Sequence, residues 1–210
     1  MKNSISLTRK GNLIVISGPS GSGKGTICRA LLREMSDLHL SVSATTRQPR
    51  PGEQDGIDYY FLHRKQFEKM IADNQLLEWA EVYGYYYGTP AEPVREAISR
   101  GKDVILEIDV QGAAKVKNNY PGCVLIFIIP PSRHELEQRL TGRATDSADE
   151  IRRRLAWAER EIKELPKYDY LVINDEVAAA ASKVRSIIIA ERCRPALLDI
   201  NDFITRYWLM

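Results

Sequence analysis

Leu13-Ile14-Val15-Ile16-Ser17-Gly18-Pro19-Ser20-Gly21-Ser22-Gly23-Lys24-Gly25-Thr26 runs from a short apolar strand pattern through a glycine-rich turn to a lysine, and a helical pattern over Thr26–Met35 follows. Strand, spaced glycines, lysine and helix in that order define a phosphate-binding loop. The glycines let successive backbone N–H groups curl around phosphate oxygens, the helix N-terminus adds partial positive charge, and Lys24 reaches the outer phosphates. An ordinary strand-to-helix turn would use the same glycines, but Lys24 at this offset between these flanks selects the phosphate loop. Gly18, Pro19, Ser20, Gly21, Ser22, Gly23, Lys24, Gly25 and Thr26 are therefore the candidate triphosphate-binding residues. Gly25 stands where Ser or Thr normally ligates Mg²⁺. Either Thr26 contacts the metal, or Mg²⁺ keeps more of its waters and leans on the nucleotide phosphates.

Outward from this loop, Val104–Ile108, Val124–Ile129 and Tyr170–Ile173 repeat the short apolar run of Leu13–Ser17 and read as strands buried on both faces. Helical patterns alternate with them at Gly112–Lys117, at Ser132–Leu140, which opens on a Ser132…Glu135 capping box, and at Val177–Arg192. The alternation predicts an α/β fold with a parallel sheet flanked by helices. Two segments break the rhythm. Residues 42–90 carry six tyrosines and a Pro-rich turn, and read as an inserted module whose strands, Asp58–Leu62 and Leu77–Val82, would pair like a hairpin around a helix at Lys65–Asn74. Residues 137–157 are Arg-rich around the polar turn Ala144–Asp149 and read as exposed and mobile.

The 210 residues are 44% hydrophobic, enough for one sizeable core, and 30 Lys+Arg against 28 Asp+Glu leave a net charge of +2. That balance excludes a protein whose business is coating nucleic acid. Cys28, Cys123 and Cys193 form no CxxC or Cys/His cluster, which argues against a disulfide framework or a zinc site and for a reducing, cytoplasmic setting. The longest apolar run, Val124–Ile129, is far short of a membrane span, so no membrane partner is expected.

A phosphate loop alone leaves kinase, switch and motor open, and the insert must decide among them. Arg47 and Arg50 lie three residues apart on a Pro-stiffened segment and suit a grip on one phosphate; a solvated turn would use the same charges. Tyr59 and Tyr87 add phenolic donors, or pack on each other as hairpin rings.

The set GPSGSGKGT, SVSATTRQPRPGE, DGIDYYF, LLEWAEV, YYYGTP, LEIDVQG and VIND, in this order from about Leu13 to Arg192, resembles the guanylate kinases. The resemblance implies transfer of the ATP γ-phosphate to GMP with Mg²⁺. It also implies a P-loop NTPase core (1–41, 90–136 and 158–210), a GMP-binding insert (42–89) and a mobile lid (137–157). Matching positions place the guanine pocket at Ser43, Glu78, Thr89 and Asp109, and the GMP phosphate at Arg47, Arg50, Tyr59 and Tyr87. Lys24, Arg139, Arg143 and Arg154 fall on the transferring phosphoryl group. Asn174 lies in the adenine-side region, although a turn closing the last strand would use the same residue. Carboxylates suit guanine, whose N1–H and N2–H₂ donate, and repel adenine's unprotonated N1. Ala144 departs from the glycine that often follows the lid arginine in the family. The expected partners are ATP and GMP. Two alternatives remain: a guanylate-kinase-like interaction module without catalysis, and a P-loop kinase with another acceptor. The apolar C-terminal stretch Arg194–Met210 either self-associates into a homo-oligomer or docks on the core.

Overall fold

The structure, a computed structural model, describes residues 9–82, 84–142 and 147–209; Arg143 and Ala144 lie outside the described residues. In chain order the elements are β1 (Leu13–Ser17), α1 (Lys24–Glu34), β2 (Leu38–Leu40), β3 (Ala44–Thr45), β4 (Tyr60–Phe61), α2 (Arg64–Ala72), β5 (Leu76–Val82) and β6 (Tyr85–Pro90). They continue with α3 (Ala91–Ser99), β7 (Asp103–Glu107), α4 (Val110–Asn119), β8 (Val124–Ile129), α5 (Arg133–Thr141), α6 (Ala148–Ile162), β9 (Tyr170–Ile173) and α7 (Val177–Glu191).

Five strands form a parallel sheet in the order β2-β7-β1-β8-β9. Because strand side chains alternate in direction, consecutive apolar residues feed two cores. Ile14 and Ile16 of β1, with Ile105, Ile126, Ile128 and Val172, pack under α1 and α7 through Ile27, Leu31, Val184 and Ile188. Leu13 and Val15, with Val104, Leu106 and Leu125, pack against Val94 of α3 and Ala113 and Val116 of α4. The parallel arrangement brings the carboxyl ends of β1 and β7 to one sheet edge, where α/β sheets hold ligands.

The second sheet, β4-β3-β6-β5, is built from residues 44–90. The expected hairpin pairing of its strands around the helix does not form. β5 pairs antiparallel with β6, and β6 antiparallel with β3, but β4 joins β3 in parallel. The reason is α2, which spans β4 to β5 and fastens onto the sheet through fully buried Phe67, 5.4 Å from the Tyr86 ring.

The Arg-rich segment 137–157 is also more regular than its composition predicts. It comprises the end of α5 and most of α6, and among its described residues only 142 and 147 lie outside those two helices. Ile151, Leu155, Ala158 and Ile162 recur at helical spacing, and Leu155 and Ala158 meet Leu136 and Leu140 of α5 in a third cluster. Ser147 caps α6 by accepting from the Glu150 N–H at 3.3 Å. Ser132 caps α5 in the same way, accepting from the Glu135 N–H at 3.1 Å, but the Glu135 carboxylate pairs with Arg139 instead of closing the box.

The chain ends are fastened by Asp103, fully buried at the start of β7, which accepts from Arg9 at 2.7 Å and Arg192 at 2.6 Å. Lys10 N–H donates to Leu197 C=O at 2.9 Å, seating the start of the C-terminal stretch on the core, while Trp208 and Leu209 are exposed. Among the described residues no helix is long and apolar enough to cross a membrane.

Candidate active site

The loop after β1 has the backbone its sequence calls for. Gly18, Gly21 and Gly23 take φ of 135°, 90° and 89°, conformations that side chains resist. At Gly23 space is limiting as well, since a Cβ would stand 2.3 Å from the Asn174 side-chain nitrogen. No side chain caps α1, so the first N–H groups of the helix remain available to an anion. Lys24 Nζ folds back onto the Gly18 and Pro19 carbonyls at 2.7 and 3.0 Å. Asn174, nearly fully buried after β9, donates its amide to Ser22 C=O at 2.7 Å. It supports the loop from beneath rather than facing the cleft.

That loop forms one wall of a cleft with a cavity volume of about 400 Å³. Gly18, Ser20, Gly21, Gly23, Lys24, Gly25 and Thr26 line it from the loop side. Ser43, Arg50, Tyr59, Glu78 and Tyr87 line it from the second sheet, Asp109 from the end of β7, and Arg154 from α6. Of the other residues expected at the site, Pro19, Ser22, Arg47, Thr89, Arg139 and Asn174 are not part of this lining, and Arg143 lies outside the described residues.

The residues outside the lining are engaged in holding it. Thr89 donates its hydroxyl to Glu78 Oε1 at 2.7 Å. Arg47 makes two 2.9 Å contacts to Glu53, which keeps that carboxyl below the ordinary range, and its guanidinium lies 5.4 Å from the Tyr59 ring centroid. Glu53 also accepts from the Arg50 N–H at 2.7 Å, so one carboxylate fixes both arginines of the turn. Tyr59 and Tyr87 meet edge to face at 6.0 Å, so the rings pack on each other as they line the cleft. Arg139 bridges Glu135 at 2.8 Å and Asn174 C=O at 2.9 Å, clamping α5 to the end of β9.

Two buried carboxyls line the same cleft. Burial pushes Glu78 up to about 7, against the Thr89 hydrogen bond and with the Asp109 charge adding. Asp109 caps α4 by accepting from Gly112 N–H at 2.7 Å, and burial raises it too, against that hydrogen bond. Gly112 lets the pair approach, because a Cβ there would stand 2.7 Å from Glu78 Oε2. Alanine is the better helix former by up to about 1 kcal/mol. Gly112→Ala is therefore expected to keep or raise the melting temperature while displacing Glu78. Affinity for a ligand held by this carboxyl pair should fall about tenfold with affinity at the phosphate loop unchanged, as titration calorimetry would read; equal effects on both would remove this role from Gly112.

Sequence reasoning passed over eight lining residues, Arg29, Ala80, Val82, Gly88, Glu107, Ile108, Trp157 and Glu161, of which Glu107, Trp157 and Glu161 bear most on the chemistry. Glu107 ends β7 beside the loop, 3.2 Å from where a Gly25 Cβ would stand. Its signal was available, since it shares the strand end that singled out Asp109. Trp157 and Glu161 follow Arg154 at helical spacing on α6. The Glu161 carboxyl is pushed up to about 7 by burial, with Lys24 opposing and Asp109 adding.

The glycine-rich loop and the buried carboxyl pair thus line one cleft, and the chain that builds it is similar to known proteins. The sequence profile described as guanylate kinase matches residues 10–191. A guanylate kinase of Desulfitobacterium hafniense is 55% identical over 184 residues, covering 88% of this chain and 92% of its own length. One from Caldanaerobacter subterraneus is 54% identical over 190 residues, covering 90% and 92%. The crystal structure of guanylate kinase from Anaplasma phagocytophilum superposes with a TM-score of 0.81 at 32% identity, covering 96% of this chain and 98% of that one. With the profile spanning most of the chain and relatives at this identity over nearly their full lengths, the chain belongs to the guanylate kinase family.

Proposed function

We propose that the protein is an ATP:GMP phosphotransferase, a nucleoside monophosphate kinase making GDP and ADP. The observation that carries the reading is the single cleft lined by both the phosphate loop and the Glu78–Asp109 pair. Such a cleft can hold a triphosphate and a guanine nucleotide with their phosphates facing. In this reading residues 1–41, 90–136 and 158–210 are the core, 42–89 the acceptor module and 137–157 the lid. Glu78 and Asp109 accept from guanine N1–H and N2–H₂, and Thr89 keeps Glu78 aimed at the base. Ser43 contributes a hydroxyl on the same wall.

Arg50, Tyr59 and Tyr87 hold the GMP phosphate. Arg47 reaches it by exchanging Glu53 for phosphate, or acts through Arg50 by way of that carboxylate. Lys24, with Arg154, Arg139 and Arg143 of the lid side, offsets charge on the transferring phosphoryl group. A GMP phosphate oxygen forms the new bond to the γ-phosphorus, the bond from that phosphorus to the β–γ bridging oxygen breaks, and ADP leaves. The attacking oxygen is already anionic at neutral pH, so no general base is needed.

The donor set fits Mg²⁺ carried in by the nucleotide. Glu107 and Thr26 flank Gly25, whose missing side chain leaves room beside the carboxylate, and among the described residues no three His, Cys, Asp or Glu side chains cluster to hold a metal alone. When bound, the ion neutralises phosphate charge. Glu107 and Thr26 would hold it, directly or through water, with the phosphates supplying the remaining ligands.

The test is an acceptor panel with ATP and Mg²⁺. GMP should be phosphorylated, dGMP more weakly, and AMP, CMP and UMP at background. Comparable turnover of AMP would sink the assignment, because the unprotonated N1 of adenine faces two carboxylates in this pocket.

A further inference from the structure

Helix α6 presents Arg154, Trp157 and Glu161 at intervals of three and four residues, which places them on one face, and all three line the cleft. The neighbouring face, about a quarter turn round the helix, carries Leu155 and Ala158, packed on α5, so the orientation of the helix is set by its core side. The Arg160 guanidinium lies 5.8 Å from the Trp157 ring centroid. Among the described residues none hydrogen-bonds the Glu161 carboxylate, whereas Glu150, one helical turn before Arg154 on the same helix, pairs with that arginine. Glu161 is thus a carboxylate with open acceptor capacity on a cleft wall.

Glu161 shares the cleft lining with Glu78 and Asp109 on one side and Lys24 and Arg50 on another. Its carboxyl feels both Asp109 and Lys24, which also feel each other, so the groups are close together. A nucleoside monophosphate with its base on the carboxylate pair and its phosphate on Arg50 and the two tyrosines has its sugar in the stretch of cleft between them, and α6 lines that same cleft. The residue types match a sugar: an indole face covers the apolar side of a furanose ring, and a carboxylate accepts protons from neighbouring hydroxyls.

We propose that Trp157 and Glu161 form the sugar-reading wall of the acceptor site, with Glu161 accepting hydrogen bonds from the ribose hydroxyls of GMP and so favouring the ribonucleotide over deoxy acceptors. The proposal rests on the GMP kinase reading above and deepens it.

The experiment measures kcat and KM for GMP, 2′-deoxy-GMP and 3′-deoxy-GMP, with ATP and Mg²⁺, in the wild type, Glu161→Gln and Trp157→Ala. Hydrogen bonds to a charged group are worth about 10- to 100-fold. The wild type should prefer GMP over at least one deoxy analogue by that factor, and Glu161→Gln should narrow the preference to within about threefold, chiefly through KM. Trp157→Ala should raise KM for all three acceptors by about tenfold and leave their ratios unchanged. A preference that survives Glu161→Gln, or an equal fall in kcat for all three acceptors, would overturn the proposal and assign the carboxylate to Lys24. An unchanged KM in Trp157→Ala would overturn the stacking role. Absence of GMP turnover by the wild type would instead refute the kinase reading itself.

Discussion

Lys24→Ala is expected to lower kcat about a thousandfold while GMP affinity and the melting temperature barely change. The lysine opens α1, and its ammonium rests on the Gly18 and Pro19 carbonyls at 2.7 and 3.0 Å. Gly18 lines the cleft, so water can reach the place the ammonium leaves, and the loop conformation is held independently by its positive-φ glycines and by Asn174 beneath. A loss of about 1 kcal/mol would shift the transition of a chain this long by only about 2–4 °C. The catalytic loss is of another size. A preorganised cation aimed at charge that grows in the transition state is worth about 10²–10³ in rate for one donor, and an ammonium in a site closed over two anions belongs at the upper end. The guanine end is untouched, so titration with GMP alone should be near normal. The measurement pairs kcat at saturating ATP and GMP with calorimetric GMP binding and a melting curve. A rate within tenfold of wild type would remove Lys24 from the chemistry, and a parallel loss of GMP binding and melting temperature would make it a structural residue.

How legible such a site is in the sequence depends on how local its geometry is. The phosphate loop could be read residue by residue because strand, glycines, lysine and helix are contiguous, and all four apolar runs became strands of the central sheet; three are buried on both faces, whereas β9, at the sheet edge, leaves Leu171 and Ile173 exposed. The insert was harder. β3 has two residues, too few for any period, and its parallel pairing with β4 depends on where α2 packs. Helix α6 was hidden by its arginines, although Ile151, Leu155, Ala158 and Ile162 carry the helical repeat beneath them. Glu53 was visible six residues from Arg47, but that it closes on the guanidinium and also holds the Arg50 backbone follows from how the turn folds. Trp157 and Glu161 gain meaning only when α5 fixes which face of α6 meets the cleft.

Glu78→Gln is expected to weaken GMP binding by about 10²–10³ and, in the same molecule, to stabilise the protein without ligand at pH 8. The first effect follows from the proposed contact of this carboxylate with the base, the second from its burial. In the free protein burial raises Glu78 from 4.5 to about 7, so the protonated form is the one folding favours. The unfolded chain releases this proton near 4.5 and the folded chain only near 7; stability is therefore lost as pH rises across that window, by about 3 kcal/mol in all, and is constant above it. Glutamine keeps the shape and can still accept from Thr89, but it does not titrate. Its melting temperature relative to wild type should climb from pH 5 to pH 8 by several degrees. Binding runs the other way. Guanine donates to the ionised carboxylate, so wild-type affinity should fall about tenfold per pH unit below 7, while the variant should show only the titration of the GMP phosphate itself. Losing two charge-assisted hydrogen bonds at a site with nothing else to offer those donors accounts for the size of the affinity loss. Melting curves and GMP titrations across pH 5–8 for both proteins test the two halves together. A stability difference that does not vary with pH, or a GMP affinity equal to wild type at pH 8, would show that Glu78 is neither strained in the free protein nor reading the base.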